Sequence, residues 1–449
     1  MSILRCHWIL LGALFATASL AAEPFRFSAD SRLPIVIVDT AGAPIADEPK
    51  TDAVMSIIDR GNRPNRLTDP PTSTSRIRIE IRGASSQMFD KKSYGFESVN
   101  KSGKDRDVGL LGLPPESDWI LYGPHSDKTL MRNYLAFRLS NQIGRYAPRA
   151  RFAELFLRDS TTTPIENQYV GVYLLVEKLK RGDDRVDVPR LKKKGDSFSG
   201  GYIVKIDRVD GPGSYFTSDF GTVLGHVSPR GDRLGDKRRK WIQQDFSRFE
   251  RSLAADNFLD PQKGYAKYCD ADSFIDFFLL NELFKNVDAY FLSTYLHRGK
   301  DGRVSMGPIW DLNLSTGNAS YGGVWHTEDW MLFSKEPRQA LSLPFWWDRL
   351  FEDPRFRARL GERWRDLRGD EFAIEAILES IDQTAAKLDS AQQRNFERWP
   401  ILGSYIWPNP RPYAQDYPEE IRQLKRWLTS RIAWMDDNIQ PLIAGPQSK

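Results

Sequence analysis

The sequence predicts an α+β protein whose first half is rich in sheet and whose second half is rich in helix. Arg76-Ile-Arg-Ile-Glu-Ile-Arg82 alternates apolar and charged residues with period two, as a strand with one solvated face does. After about residue 236 the chain turns mainly helical, and from Phe345 onward long amphipathic stretches follow. A length of 449 residues with 40% hydrophobic content and 13 Trp is enough for one large or two medium cores.

In chain order, residues 1–22 read as a secretory signal. Arg5 supplies the positive end, Trp8 to Leu20 is apolar but short for a bilayer, and Ser19-Leu20-Ala21 offers the small residues of a cleavage site after Ala21 or Ala22. An uncleaved anchor helix is the alternative. No later stretch approaches a transmembrane span, so an exported protein is expected, in the periplasm, the cell envelope or outside the cell. Residues 23–75 then form an N-terminal β segment containing the strand Leu33 to Asp39, and residues 76–320 form the core. A helix is expected from Asp127 to Ile143, with Asp127 as N-cap or first-turn acid. A hairpin follows over Arg151 to Leu157 and Gln168 to Val176, and Gly200-Gly201 introduces a strand over Tyr202 to Ile206. A helix from Asp272 to Lys285 leads through Asn286-Val-Asp288 to short strands around Phe291 to His297 and Arg303 to Met306. Residues 321–449 make a helical extension, interrupted by the Trp/Pro-rich loop Trp399 to Pro412.

Composition narrows the chemistry. Cys6 falls in the signal, so Cys269 stands alone and no internal disulfide is possible after cleavage. The five histidines show neither HxxxH nor HExxH spacing, and no GxSxG elbow is present. The net charge of +4 is modest, and Lys192-Lys193-Lys194 and Lys237-Arg238-Arg239-Lys240 read as solvated surface, with no nucleic-acid partner expected. The aromatic groups Trp325, Trp330, Trp346-Trp347 and Trp399 to Trp407 suit helix packing better than sugar stacking. Carboxylates, lysines and amides are left to carry chemistry.

The stretch from Asn281 to Asn318 is the most informative. A helix, an acidic turn at Asp288, a hairpin and a second acidic turn at Asp311 bring two carboxylates to one end of the hairpin. Phosphoryl transfer with a divalent metal needs such a pair, one acid to orient or deprotonate the acceptor and one to hold Mg²⁺. Asp288 capping a turn and Asp311 closing a hairpin is the plain structural alternative. The order of sheet, helix and acidic turns suits a two-lobed nucleotide-handling fold.

Five motifs then resemble, in order over roughly residues 33–320, the CotH family of spore-coat kinase-like proteins. They are Arg82-Gly-Ala-Ser-Ser86 with Lys91-Lys-Ser-Tyr94, Asp127-Lys-Thr-Leu-Met-Arg-Asn133, Gly171-Val-Tyr-Leu-Leu-Val-Glu-Lys178, Asn286-Val-Asp288, and Trp310-Asp311-Leu-Asn313. Phe351-Glu-Asp-Pro-Arg-Phe356 and Arg398-Trp-Pro400 are similar to the tail of bacterial members outside the spore context. The resemblance implies an atypical protein-kinase-like fold with two lobes, binding of ATP with Mg²⁺ or Mn²⁺, and transfer of the γ-phosphoryl group to Ser or Thr of an exported protein. It implies that Arg82, Gly83, Ser85 and Ser86 form the turn over the phosphates, and that Lys91 or Lys92 supplies the phosphate-pairing cation. Strand alternation turns only one of those two inward. Glu177 and Lys178 would approach the adenine or ribose, a surface ion pair being the alternative, and Arg132 would crosslink elements or touch phosphate.

By the same resemblance Asp288 is the catalytic base and Asp311 the principal metal ligand. Two positions depart from the pattern. Ser293 stands where an asparagine is expected as second metal ligand, and Asn313 stands where a second acid is expected. Both bind Mg²⁺ more weakly than carboxylate does. A nucleotide-binding pseudokinase serving as an envelope binding protein is therefore the alternative function. A glycan hydrolase using Asp288 and Asp311 as acid and base is a third reading, one that leaves the lysines and the Arg-Gly-x-Ser-Ser run without a purpose.

Overall fold

The computed structural model describes residues 25–27, 30–160, 162–209, 211–334 and 343–445. The expected signal segment, with Cys6, lies outside the described residues. Mixed helix and sheet bear out the α+β class.

Seven strands close into a barrel: β1 (Ile35–Asp39), β2 (Thr51–Ile58), β3 (Ser73–Arg82), β4 (Ser93–Val99), β5 (Asp118–Tyr122), β6 (Ala150–Arg158) and β7 (Tyr169–Glu177). The order around the wall is β1-β2-β3-β4-β5-β7-β6. Every neighbouring pair is antiparallel except β1 and β6, which close the barrel in parallel with Ile35 opposite Glu154. Alternation explains the wall. In β3, Ile77 and Ile79 point into the barrel with Val36, Met55, Phe96 and Trp119, while Arg76 on the opposite face meets solvent. Strands β5 to β7 have no solvated face, because Ile120, Phe152, Val172 and Leu174 look outward onto helices. The boundary expected at residues 75/76 falls inside β3, and the early strands β1 and β2 belong to the same closed sheet as the core strands.

Between β5 and β6 runs α1 (Arg132–Gln142). It begins five residues later than the sequence predicts, because Asp127 shapes the turn ahead of it. The Asp127 carboxylate accepts from the backbone N–H groups of Thr129 at 3.2 Å and Arg132 at 2.9 Å. The small hairpin of β8 (Lys192–Lys194) and β9 (Ser197–Ser199) comes next. A second sheet has the order β11-β12-β10-β13-β14, from β10 (Ile203–Ile206), β11 (Tyr215–Thr217), β12 (Val223–Ser228), β13 (Thr294–Arg298) and β14 (Val304–Met306). Helices α2 (Asp236–Ala254) and α3 (Ala271–Phe284) lie between β12 and β13 in sequence. Helix α3 is buried along almost its whole length, as its run of Phe, Ile and Leu requires.

Helices α4 (Trp346–Glu352), α5 (Pro354–Arg368), α6 (Ile374–Arg398) and α7 (Tyr417–Ala444) complete the chain. They fasten the barrel and α3. Asn395 and Arg394 of α6 bind the barrel wall, the latter through a double hydrogen bond to buried Glu154 at 2.8 Å each. Arg431 of α7 is wholly buried and donates to the Glu282 carboxylate of α3 at 3.1 Å. Trp346 and Trp347 pack inside the helical region, whereas Trp325 and Trp407 remain more than one-third exposed. No helix among the described residues is long and apolar enough to cross a membrane.

Candidate functional site

Asp288 sits in the turn between α3 and β13, and the turn is tied down from both ends. The Asn286 side chain donates to Asn281 Oδ1 of α3 at 3.1 Å and accepts from the Asp288 N–H at 3.3 Å. The Leu292 N–H then donates to the Asp288 carbonyl at 3.0 Å. Asp311 follows β14. Its neighbour Leu312 donates its N–H to Asn133 Oδ1 on α1 at 2.8 Å, and Arg132 donates to Thr316 Oγ1 at 2.8 Å. Arg132 is itself held by buried Asp127 at 2.6 Å, so the first turn of α1 anchors the loop beyond Asp311. This gives Arg132 the crosslinking role.

The backbone of these turns is strained. Tyr290, Ser293 and Asp311 have φ of 78°, 46° and 53° without being glycine. Such conformations cost of order 1–3 kcal/mol each and persist only where the surroundings impose them. The strain at Ser293 and Asp311 brings their side chains together: Ser293 Oγ donates to Asp311 Oδ2 at 3.0 Å.

Electrostatics couples the two acids. Burial pushes the Asp288 carboxyl up to about 7, and the charges of Asp311 and Asp207 push the same way, against Arg208. Burial also raises Asp311, opposed by the Arg82 charge, the Ser293 hydroxyl and Lys205, with Asp207 adding to the rise. The phenols of Tyr295 and Tyr321 are raised by burial and by these acids, Tyr321 to about 12 beside Asp288.

The other sequence-predicted residues divide into those near the acids and those elsewhere. Arg82 ends β3, its guanidinium 5.9 Å from the Trp310 ring and close enough to Asp311 to lower that carboxyl. Gly83 has φ of 113°, and a Cβ there would lie 2.0 Å from Ser86 Oγ, so this turn needs glycine. Ser85 and Ser86 open the short 3₁₀ turn Ser85–Met88. Asn313 lies two residues past Asp311, its carbonyl accepting from Asn318 at 2.8 Å.

Lys91 and Lys92 point to different places. Lys91 is buried, donating to the carbonyls of Val172 at 2.8 Å and Pro124 at 3.3 Å and to Asn395 Oδ1 at 2.7 Å. Desolvation holds its ammonium well below the usual lysine range. Lys92 donates to the Gln87 carbonyl at 2.7 Å and so braces the Ser85–Met88 turn. Glu177 is wholly buried, accepting from Tyr146 at 3.0 Å, from Arg149 and from Arg185 at 2.7 Å. Lys178 pairs with Asp118 at 3.2 Å on the surface.

Three neighbours of the acid pair escaped the sequence reading: Lys205, Asp207 and Arg208. The alternation in Ile203-Val-Lys-Ile-Asp207 was the available signal, since it puts Lys205 and Asp207 on one face. Among the described residues, no group of three or more His, Cys, Asp or Glu is placed to hold a metal ion unaided.

A family model described as CotH kinase protein matches residues 79–435. The chain belongs to the CotH family. A comparison with curated proteins found no match. The CotH match spans the site and reaches through the helices that brace it, ending within α7. Asp288, Asp311 and the Lys205–Asp207 pair all fall inside it.

Proposed function

We propose that this CotH protein is an exported, atypical protein kinase with a two-lobed kinase-like core, the barrel forming one lobe and the second sheet with its helices the other. It would transfer the γ-phosphoryl group of ATP to a Ser or Thr hydroxyl of an exported or surface protein. The observation that carries the proposal is the electrostatic coupling of Asp288 and Asp311 on two strained turns, with Asp288 brought to about 7. A carboxyl near neutrality is suited to accept the acceptor hydroxyl proton.

Asp311, aided by Asn313 and the Ser293 hydroxyl, would hold Mg²⁺ or Mn²⁺. The donor set fits a metal bound jointly with phosphates, because Mg²⁺ is usually held by one or two carboxylates plus substrate oxygens. When bound, the metal neutralises phosphate charge. Arg82 stands beside Asp311 to meet the remaining negative charge, and the Gly83 turn that follows it would bring backbone N–H groups to the phosphates. Asp288 would orient the acceptor and take its proton. The exported location rests on the leader-like residues 1–22.

Incubation with γ-labelled ATP, Mn²⁺ and the exported proteins of the source organism tests the proposal. Labelling by the wild-type protein and a loss of at least about a hundredfold in Asp288→Asn is expected. Equal labelling by both removes Asp288 from the reaction.

A further inference from the structure

We infer that Lys205, and neither Lys91 nor Lys92, is the lysine that meets the phosphates, with Asp207 positioning it. The inference rests on the kinase reading of the site and goes beyond it by replacing the cation that the family resemblance implies.

The two lysines of the barrel are committed elsewhere. Lys91 has three oxygen acceptors, two of them main-chain carbonyls, and an ammonium has three donors. Releasing it would take this donor from the buried carbonyls of Val172 and Pro124, at about 1–3 kcal/mol for each group, and leave Asn395 Oδ1 with only the Val172 N–H. Asn395 belongs to α6, so Lys91 stitches the barrel to the C-terminal helices. Lys92 is tied to Gln87 O, within the turn that follows β3.

Lys205 is placed differently. It lies on β10, directly opposite Tyr295 of β13, and Ile206 lies opposite Thr294. The pairing ends there, because the chain turns at Ser293, whose φ is 46° and whose hydroxyl donates to Asp311, and the charges of both Lys205 and Asp207 reach the Asp311 carboxyl. Directly opposed residues of antiparallel strands project to the same face, and so do residues two apart. Lys205 and Tyr295 therefore share one face of the second sheet, and β13 begins one residue after Ser293.

The other neighbour of Lys205 is Gly225 on β12. A Cβ at Gly225 would meet Lys205 Cγ at 3.4 Å, so the aliphatic stem lies over Gly225 along the sheet. The Lys205 side chain is about one-quarter exposed, and its ammonium is held by Asp207 Oδ2 at 2.9 Å. It is thus presented at the acidic centre by a single carboxylate contact. A phosphate oxygen can join or replace that contact without leaving any buried group unpaired. Asp207 keeps the ammonium from swinging to solvent and sets its distance from Asp311.

Isothermal titration of wild type, Lys205→Met, Lys92→Met and Asp311→Ala with ATP plus Mg²⁺, and separately with adenosine, tests the inference. Circular dichroism melts confirm that each variant is folded. Lys205→Met is expected to weaken ATP binding at least about tenfold and to leave adenosine binding within twofold, the size of one charge-assisted phosphate contact. Lys92→Met, which removes only a brace on the Ser85–Met88 turn, should weaken ATP binding less than Lys205→Met does. Asp207→Asn should weaken ATP less than Lys205→Met does. Wild-type affinity for ATP in Lys205→Met, with Asp311→Ala impaired, overturns the lysine assignment while sparing the kinase reading. Equal loss of adenosine and ATP binding in Lys205→Met assigns the residue a structural role and also overturns it. Absence of ATP binding by the wild type removes both readings.

Discussion

In the barrel wall, Glu177 accepts from Tyr146, from Arg149 and from Arg185, and Glu154 takes both Arg394 nitrogens and the Tyr169 hydroxyl. At the acidic turns, Asp311 takes a hydroxyl from Ser293, and Asp288 faces the charges of Asp311 and Asp207. Each region holds carboxylates on a rigid frame, Glu154 and Glu177 wholly buried and Asp288 and Asp311 partly so. The wall surrounds them with cations and donors, whereas the turns gather like charges and oppose them only in part with Arg82, Lys205 and Arg208. Burial of a paired charge holds structure together. Burial of a charge beside its like stores free energy that a bound cation can release.

Variants can break or sharpen this contrast. The largest effect belongs to the wall. Glu177→Ala leaves Arg185 and Arg149 without their buried carboxylate and is expected to cost about 3–5 kcal/mol in urea unfolding. A change under about 1 kcal/mol would show that the wall tolerates unpaired charge. Lys91→Met takes the donor from two buried carbonyls and should cost about 2–3 kcal/mol, while ATP affinity stays near that of wild type.

Asp288→Asn should act in the opposite direction. Its folded-state value of about 7 lies above the unfolded 3.8, so the folded protein binds the extra proton between those limits. The stability this contributes is full below the unfolded value and is lost as pH rises through about 7. Above pH 7 the ionised Asp288 is therefore a liability. The amide should stabilise the fold by about 1–2 kcal/mol at pH 8, after allowance for partial solvent screening, with the gain shrinking as the pH falls through about 7 toward 3.8. A destabilised Asp288→Asn at pH 8 contradicts the coupling. The smallest effect is expected at the rim, where Lys178→Ala, exposed and paired to Asp118, should move stability by less than about 0.5 kcal/mol.

Much of this fold was legible in the sequence because periodicity reports burial. Arg76 to Arg82 reads directly as a one-faced strand, the hairpin of β6 and β7 as two apolar runs, and α3 as an apolar helix ending at an acidic turn. Closure of the barrel was not legible. The pairing of β1 with β6 joins residues more than a hundred apart, and alternation tells which face is buried without telling against what.

The same limit explains the lysines. Alternation implies that one of Lys91 and Lys92 turns inward, and Lys91 does, but inward means toward Asn395 of α6. Asp127 was expected as N-cap or first-turn acid, but Met131 holds the N-cap position and Asp127 closes the turn ahead of it, its carboxylate accepting from the Arg132 N–H. Lys205 and Asp207 were hidden because their strand carries no motif of its own. Their importance comes from register with β13, a tertiary fact.

The central claim is that Asp288 and Asp311 form one metal-nucleotide centre. Electron paramagnetic resonance titration of Mn²⁺ in the presence of ATP tests it most directly, using the wild-type protein beside Asp311→Ala. The account predicts protein-dependent loss of the free Mn²⁺ signal that saturates at one or two ions per chain for the wild type and is largely abolished in Asp311→Ala. Equal Mn²⁺ uptake by both proteins would contradict it.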